Sequence, residues 1–223
     1  MTTARLVFSL IFSIIFIVIF LGAVLLLPAG NLYWMNGWIF IGSMVGYLLL
    51  IFIYFGIKDP ATLERRSKLS QEEGDALHLT ILGILFTVMF LIPPFDYRFG
   101  WSQLPDFLAW VGLVLLIISY LIIFFVMREN SYASKGLRIH EGQKVIDSGP
   151  YSIIRHPMYA GFSLMCISIP LTLGSLLAFI PALLFPLILA PRIKREEAML
   201  MRELEGYKEY KEQVQYRMLP GIW

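Results

Sequence analysis

The chain has 223 residues, 58% hydrophobic and 15% charged, with a formal net charge of +2. A soluble domain of this size carries about 25% charged residues, and so small a net charge sets up no long-range field for nucleic acid. The single cysteine, Cys166, excludes an intramolecular disulfide, and three histidines (His78, His140 and His156) scattered without ligand spacing speak against a metal site.

The few charges are segregated. Leu6–Ile57, Leu79–Phe95, Phe107–Met127 and Pro157–Pro191 contain none, and apolar runs of about 18 residues or more read as membrane spans. The expected fold is therefore an all-α, integral membrane helical bundle of five to six transmembrane spans, with a helical hairpin and cytoplasmic C-terminal helices. Span one is Leu6–Leu27. At 22 residues it exceeds the ~7–15-residue core of a secretory signal and reads as a retained span. Pro28, Gly30 and Asn31 turn the chain into span two, Trp34–Ile57, with Tyr33, Trp34 and Trp38 as interfacial aromatics. The polar stretch Lys58–Leu77 follows. Span three, His78–Ile92, is expected to stop at Pro93-Pro94, because proline lacks the amide hydrogen and disfavours helix in the residue before it. Span four is Phe107–Met127, and Arg128–His156 is the longest central polar segment.

Pro157–Pro191 is 35 uncharged residues, too many for one comfortable span. Gly174, flanked by Thr172 and Ser175, offers a turn, giving either a tight hairpin of two short spans or a partly re-entrant pair. Arg192–Trp223 is charged and amphipathic. Lys58–Leu77 carries four Lys or Arg and Arg128–His156 five, whereas the alternate connections carry one between them, Arg98. By the positive-inside rule the two basic loops and both termini face the cytoplasm. The whole is one membrane domain, with N-terminal spans over 1–127 and a functional core over 128–223.

Two clusters carry chemistry. The first is "GPYSIIRHPMYAGF", Gly149–Phe162. Gly149-Pro150 is a turn signal, and Pro157 holds His156 extended while suiting the first position of a helix. Arg155 and His156 then stand at a helix N-terminus, whose free N–H groups and partial positive charge favour an anion such as a carboxylate or phosphate. Gly161 leaves room for a close approach. The same features also satisfy the simpler requirement of an arginine at a cytoplasmic membrane boundary. The second cluster is "PRIKREEAMLMRELEGYKEYKEQV", from Pro191. Arg192 and Glu196 are four apart on one helix face, with Glu197 adjacent. Leu200, Leu204, Tyr207 and Val214 form an apolar stripe. This too has a plain reading, as an exposed helix with i,i+4 ion pairs. Together, on one membrane face, the clusters offer a cationic pocket and paired carboxylates, which suit a small zwitterion.

"GQKVIDSGPYSIIRHPMYAGF" (Gly142–Phe162), "RIKREEAML" (Arg192–Leu200), "GYKEYKEQV" (Gly206–Val214) and "LPGIW" (Leu219–Trp223) together resemble the isoprenylcysteine carboxyl methyltransferase family, in a broader group with membrane phospholipid methyltransferases. The resemblance covers Arg128–Trp223. It implies S-adenosylmethionine as methyl donor, bound on the cytosolic side, and a lipophilic or lipidated acceptor arriving through the lipid bilayer. It also implies that Gly149, Tyr151, Arg155, His156, Pro157, Tyr159 and Gly161 form the first cofactor motif and that Glu196 and Glu197 are its paired acids. Tyr207 and Tyr210 are the implied tail tyrosines that close the pocket. Gln143 stands where eukaryotic prenylcysteine enzymes usually have a histidine, and as an amide it can still hydrogen-bond the cofactor. Arg155 and Glu197 are expected to hold opposite ends of the cofactor, and Arg192 and Glu196 to form the catalytic, acceptor-side pair. Two rivals stand beside this reading. One is an NADPH-dependent membrane sterol reductase, because such enzymes share an Arg-His-Pro-x-Tyr run. The other is a non-catalytic membrane protein that keeps the fold.

Overall fold

The structure, a computed structural model, describes residues 3–60, 76–102, 104–130, 139 and 142–223. The expected cytoplasmic residues Arg65, Arg66, Lys68, Lys135 and Arg138 lie outside the described residues. Seven α-helices are described: α1 (Thr3–Ala29), α2 (Met35–Lys58), α3 (Ala76–Phe99), α4 (Phe107–Glu129), α5 (Pro157–Leu173), α6 (Phe179–Glu203) and α7 (Tyr207–Gln213), with a 3₁₀ turn at Gly149–Ser152. No strand occurs among the described residues. Helices α1 to α4 are each long and apolar enough to cross a bilayer, and α5 is a shorter apolar helix.

One core joins α1 to α6. Leu25, Phe40, Met89, Leu116, Ile169 and Ala182 meet there, each almost fully buried. The opposite faces are also apolar. Phe12, Ile19, Ile53, Ile84, Ile117 and Leu183 are all more than 40% exposed, an arrangement that suits lipid as the surrounding solvent and would be costly in water. Glycine brings α4 and α5 together. A Cβ on Gly112 would sit 2.4 Å from the Thr172 amide nitrogen, and one on Gly161 would sit 2.8 Å from an Ile123 side-chain carbon. Such close backbone approach is how small residues drive helix pairing where no water is displaced.

Three expectations change. Span three does not stop at Pro93-Pro94: α3 runs through both to Phe99. Contacts beyond the prolines hold the extra turns. The Asp96 carboxylate accepts from the Ser102 amide (2.6 Å) and from the Ser102 and Ser175 hydroxyls (2.5 Å each), and Tyr97 stacks on Trp34 at 5.0 Å. Tertiary structure overrides the local signal. Trp34, expected at the interface, is consequently packed inward, 3% exposed. The chain also does not change element at Pro191. Helix α6 continues through Pro186 and Pro191 to Glu203, so its apolar first half and charged second half form one rod.

The hairpin turn lies where Gly174 indicated. Gly174 ends α5 at φ +76°, in the left-handed region that glycine enters without a Cβ penalty. Helix α5 has 17 residues, so the pair is a short hairpin.

Candidate active site

The site lies where the N-terminus of α5 meets the charged half of α6 and the C-terminal tail. Pro157 starts α5, and His156 before it has φ −124° and ψ 59°, outside the helical region that a following proline disfavours but short of the extended geometry expected of it. Arg155 and His156 are thereby aimed off the helix end. The tail lies alongside them: the Arg155 amide donates to the Tyr216 carbonyl (2.9 Å) and the His156 amide to the Arg217 carbonyl (2.8 Å). The amides of Arg155 and His156 are therefore taken by the chain itself.

Arg155 and Glu197, expected at opposite ends of a ligand, hold each other. Arg155 Nε donates to Glu197 Oε1 at 2.6 Å, and Arg155 Nη1 donates to the carbonyls of Val214 (2.6 Å) and Gln215 (2.7 Å). Both side chains are about 4% exposed or less. Glu197 also lies 3.3 Å from His156 Nε2 and accepts from Arg217 Nε at 2.9 Å. Burial alone would raise the Glu197 pKa. Hydrogen bonds from His156, Arg155 and Arg217 outweigh it and hold the carboxyl well below the usual range.

The second acid has a different setting. Glu196 Oε2 accepts from the Tyr159 hydroxyl at 2.6 Å, and the Tyr159 hydroxyl oxygen in turn accepts from Arg192 Nε at 3.0 Å. Glu196 also faces His156 Nδ1 at 3.9 Å and keeps 26% of its side chain exposed. Arg192 is only 3% exposed. The i,i+4 pair of α6 is thus bridged by a tyrosine one turn into α5, which a surface ion pair would not need.

The tyrosines form the wall. Tyr151, Tyr207 and Tyr210 cluster with Val126 and Val214. The Tyr210 hydroxyl donates to the Tyr151 carbonyl at 2.8 Å, and Asn130 Nδ2 donates to the Tyr151 hydroxyl at 2.9 Å. Burial pushes the Tyr207 and Tyr210 hydroxyls well above their usual pKa, so both remain neutral. The buried Tyr207 hydroxyl has no hydrogen-bond partner among the described residues, although Glu197, Arg155 and Glu196 are near enough to act on it electrostatically. Gly149, at φ +57°, brings the 3₁₀ turn against the Glu129 carboxyl. Gln143 is half-buried in the extended stretch that follows Gly142.

Gly161 is the exception among the expected pocket residues. Its open face is filled by Ile122 and Ile123 of α4, so the close approach it permits is that of a helix and not of a ligand. Sequence reasoning also missed Arg217. The tail motif was noted for its LPGIW ending, and the arginine two residues before it supplies the third contact to Glu197.

Comparison with known proteins bears on this geometry. The family model of phospholipid methyltransferases matches residues 107–208, which takes in α4, α5, α6 and the start of α7. The fold of the whole chain is similar to that of one solved membrane enzyme. It superposes on the eukaryotic intramembrane Ras methyltransferase ICMT, isoprenylcysteine carboxyl methyltransferase, with a TM-score of 0.57 at 20% identity, covering 99% of this chain and 85% of that one. Shorter matches link it to a Delta(14)-sterol reductase, TM7SF2, of Mus musculus (31% identical over 85 residues, 37% of this chain) and to the Delta(14)-sterol reductase of Methylotuvimicrobium alcaliphilum (28% over 93 residues, 40% of this chain). The chain spans about a fifth of the length of these curated relatives, 20% and 22%. The phospholipid methyltransferase match covers every expected site residue except Tyr210, including both acids and the Arg-His-Pro run.

Proposed function

We propose that the protein is an S-adenosylmethionine-dependent methyltransferase of the membrane, acting on a lipophilic acceptor. The favoured acceptor group is a carboxylate like that of an isoprenylcysteine. The observation that carries this reading is a cluster of both charge signs, the buried Arg155 and Glu197 beside the quarter-exposed Glu196 and Arg217, built into one end of a bundle whose flanks are apolar.

The residues present fit the methyl donor. Its sulfonium and amino groups are cationic and its carboxylate anionic, so paired acids beside arginines complement it. The neutral, buried Tyr207 hydroxyl supplies a donor with no acceptor among the described residues. Glu196, Glu197, His156, Tyr207 and Tyr210 would hold the group, with Tyr151 and Gln143 behind them. When bound it supplies an electrophilic methyl. The chain's own work is orientation and exclusion of water. Arg155 pins the tail across the site through two carbonyls, and the tyrosine wall closes the side away from lipid.

Arg192 and Glu196 are assigned to the acceptor. Tyr159 locks the Arg192 guanidinium, and a locked planar fork grips two oxygens while keeping its charge near lipid. A carboxylate acceptor needs no base. An amine or hydroxyl acceptor does, and the quarter-exposed Glu196 is placed to take that proton and pass it to water. The positive-inside count puts this end, and both termini, in the cytoplasm. The sterol reductase relatives favour a second reading with NADPH. Two adjacent carboxylates are poor company for its phosphates, and that weighs against it.

The test is transfer of a labelled methyl from S-adenosylmethionine to an isoprenylcysteine analogue and to lipids bearing amine or hydroxyl groups. Labelled product with any of them supports the methyltransferase, and its base-stability profile separates ester from amine. NADPH-dependent reduction of a sterol diene with no methyl transfer would overturn it.

A further inference from the structure

The anion-binding arginine anticipated from sequence was Arg155, and its geometry makes it a poor choice. It spends Nε on Glu197 and Nη1 on the Val214 and Gln215 carbonyls, and it is 6% exposed. Arg217 is placed differently. Only its Nε is engaged, on Glu197 Oε2 at 2.9 Å. Its two terminal nitrogens make no hydrogen bond among the described residues, and 27% of the side chain is exposed.

Its position is nonetheless fixed. The guanidinium lies over the Trp223 ring, 5.5 Å from the centroid. The tail folds into a tight ring beneath it: the amides of Arg217, Met218 and Leu219 all donate to the Trp223 carbonyl oxygen at 2.9–3.0 Å. Gly221 makes that turn possible at φ +79°, and Met218, 5% exposed, anchors it against Leu189 and Ile193 of α6. The LPGIW ending thus builds a platform that presents one arginine. The charge balance points the same way. Arg155 and Arg217 both face Glu197, two guanidiniums on one carboxylate. The orphan Tyr207 hydroxyl shares the Glu197 neighbourhood.

We propose that Arg217 is the residue that binds the carboxylate of the methyl donor, with its Nε retained on Glu197 and its two terminal nitrogens forming the fork. This rests on the methyltransferase reading and adds a binding residue to it. Arg155 then has a positioning role, holding Glu197 and the tail so that Arg217 is presented. A guanidinium fork matches a carboxylate's two oxygens, which a lysine cannot do.

The experiment is a double cycle read by calorimetry on the purified full-length protein. The ligands are S-adenosylmethionine and its decarboxylated analogue, and the proteins are wild type, Arg217→Gln and Arg217→Lys. Wild type should bind the complete ligand about tenfold to a hundredfold more tightly than the decarboxylated one. In Arg217→Gln that preference should collapse to about threefold or less, with the decarboxylated ligand bound as in wild type. Arg217→Lys should recover part of it. An undiminished preference in Arg217→Gln overturns the assignment, as does an equal loss for both ligands, which would mark Arg217 as a structural latch alone. If wild type binds neither ligand, the methyltransferase reading falls and takes this assignment with it. Binding of NADPH instead, weakened in Arg217→Gln, would show the same fork serving a phosphate.

Discussion

Each end of the bundle holds a buried carboxylate that ties distant segments together, and the two are satisfied in opposite ways. Asp96 is 1% exposed and accepts only from neutral groups, the Ser102 amide and the Ser102 and Ser175 hydroxyls. It joins the α3–α4 connection to the α5–α6 turn. Glu197 is 3% exposed and is surrounded by Arg155, Arg217 and His156. Hydrogen-bonding capacity remains around Glu197, in the Arg217 fork and the Tyr207 hydroxyl. A buried acid closed by neutral donors is a tether, whereas one held by a surplus of cations with a spare donor beside it is a place for a ligand. That contrast supports the Arg155 end as the proposed site more firmly than either motif does alone.

Breaking the two ends should separate stability from binding. The largest effect is expected from Glu197→Ala, which strands the Arg155 guanidinium in the interior. Removing one partner of a buried ion pair costs about 3–5 kcal/mol, so a large drop in unfolding free energy in detergent, with loss of S-adenosylmethionine binding, is expected. Asp96→Asn should cost about 1.5–3 kcal/mol, the range for hydrogen bonds to a charged group, while cofactor affinity in the folded protein stays at the wild-type value. Equal loss of affinity in both variants would erase the distinction between the ends. Gly112→Ala sharpens it further. Its Cβ would press on the Thr172 backbone at the Asp96 end of the α4–α5 crossing, and overpacking costs about 1–3 kcal/mol. Thermal melting should show that loss without a change in binding.

The smallest effect is one of pH. The folded pKa of Glu197 is depressed, so its contribution to stability is complete above the ordinary carboxyl value of 4.5 and is lost as pH falls toward the folded value. The melting-temperature gap between wild type and Glu197→Ala should therefore be constant from pH 7 to about 5 and narrow below that. A gap that widens on acidification would contradict the assigned ion pair.

The sequence made some of this legible because some signals are local. A lone glycine between Thr172 and Ser175 marked the hairpin turn, since only its left-handed conformation ends α5 there. Pro157 marked the start of α5 for a similarly local reason. The tandem prolines 93–94 misled because their effect was outweighed by Asp96 and by the Trp34–Tyr97 stack, contacts that span about 60 to 80 residues. The Arg155–Glu197 pair joins positions 42 apart, so each could be named as important without its partner being visible. Gly161 showed that something comes close, and helix α4 fits that description as well as a ligand does. Arg217 carried no signal beyond being a cation in a tail noted for other residues.

The central claim is that the Glu197 end binds a methyl donor. Calorimetric titration of the purified protein with S-adenosylmethionine and, separately, NADPH tests it most directly. The account predicts saturable one-to-one binding of S-adenosylmethionine, lost in a folded Glu197→Gln variant and retained in Asp96→Asn, with no heat from NADPH. Saturable binding of NADPH and none of S-adenosylmethionine would contradict it.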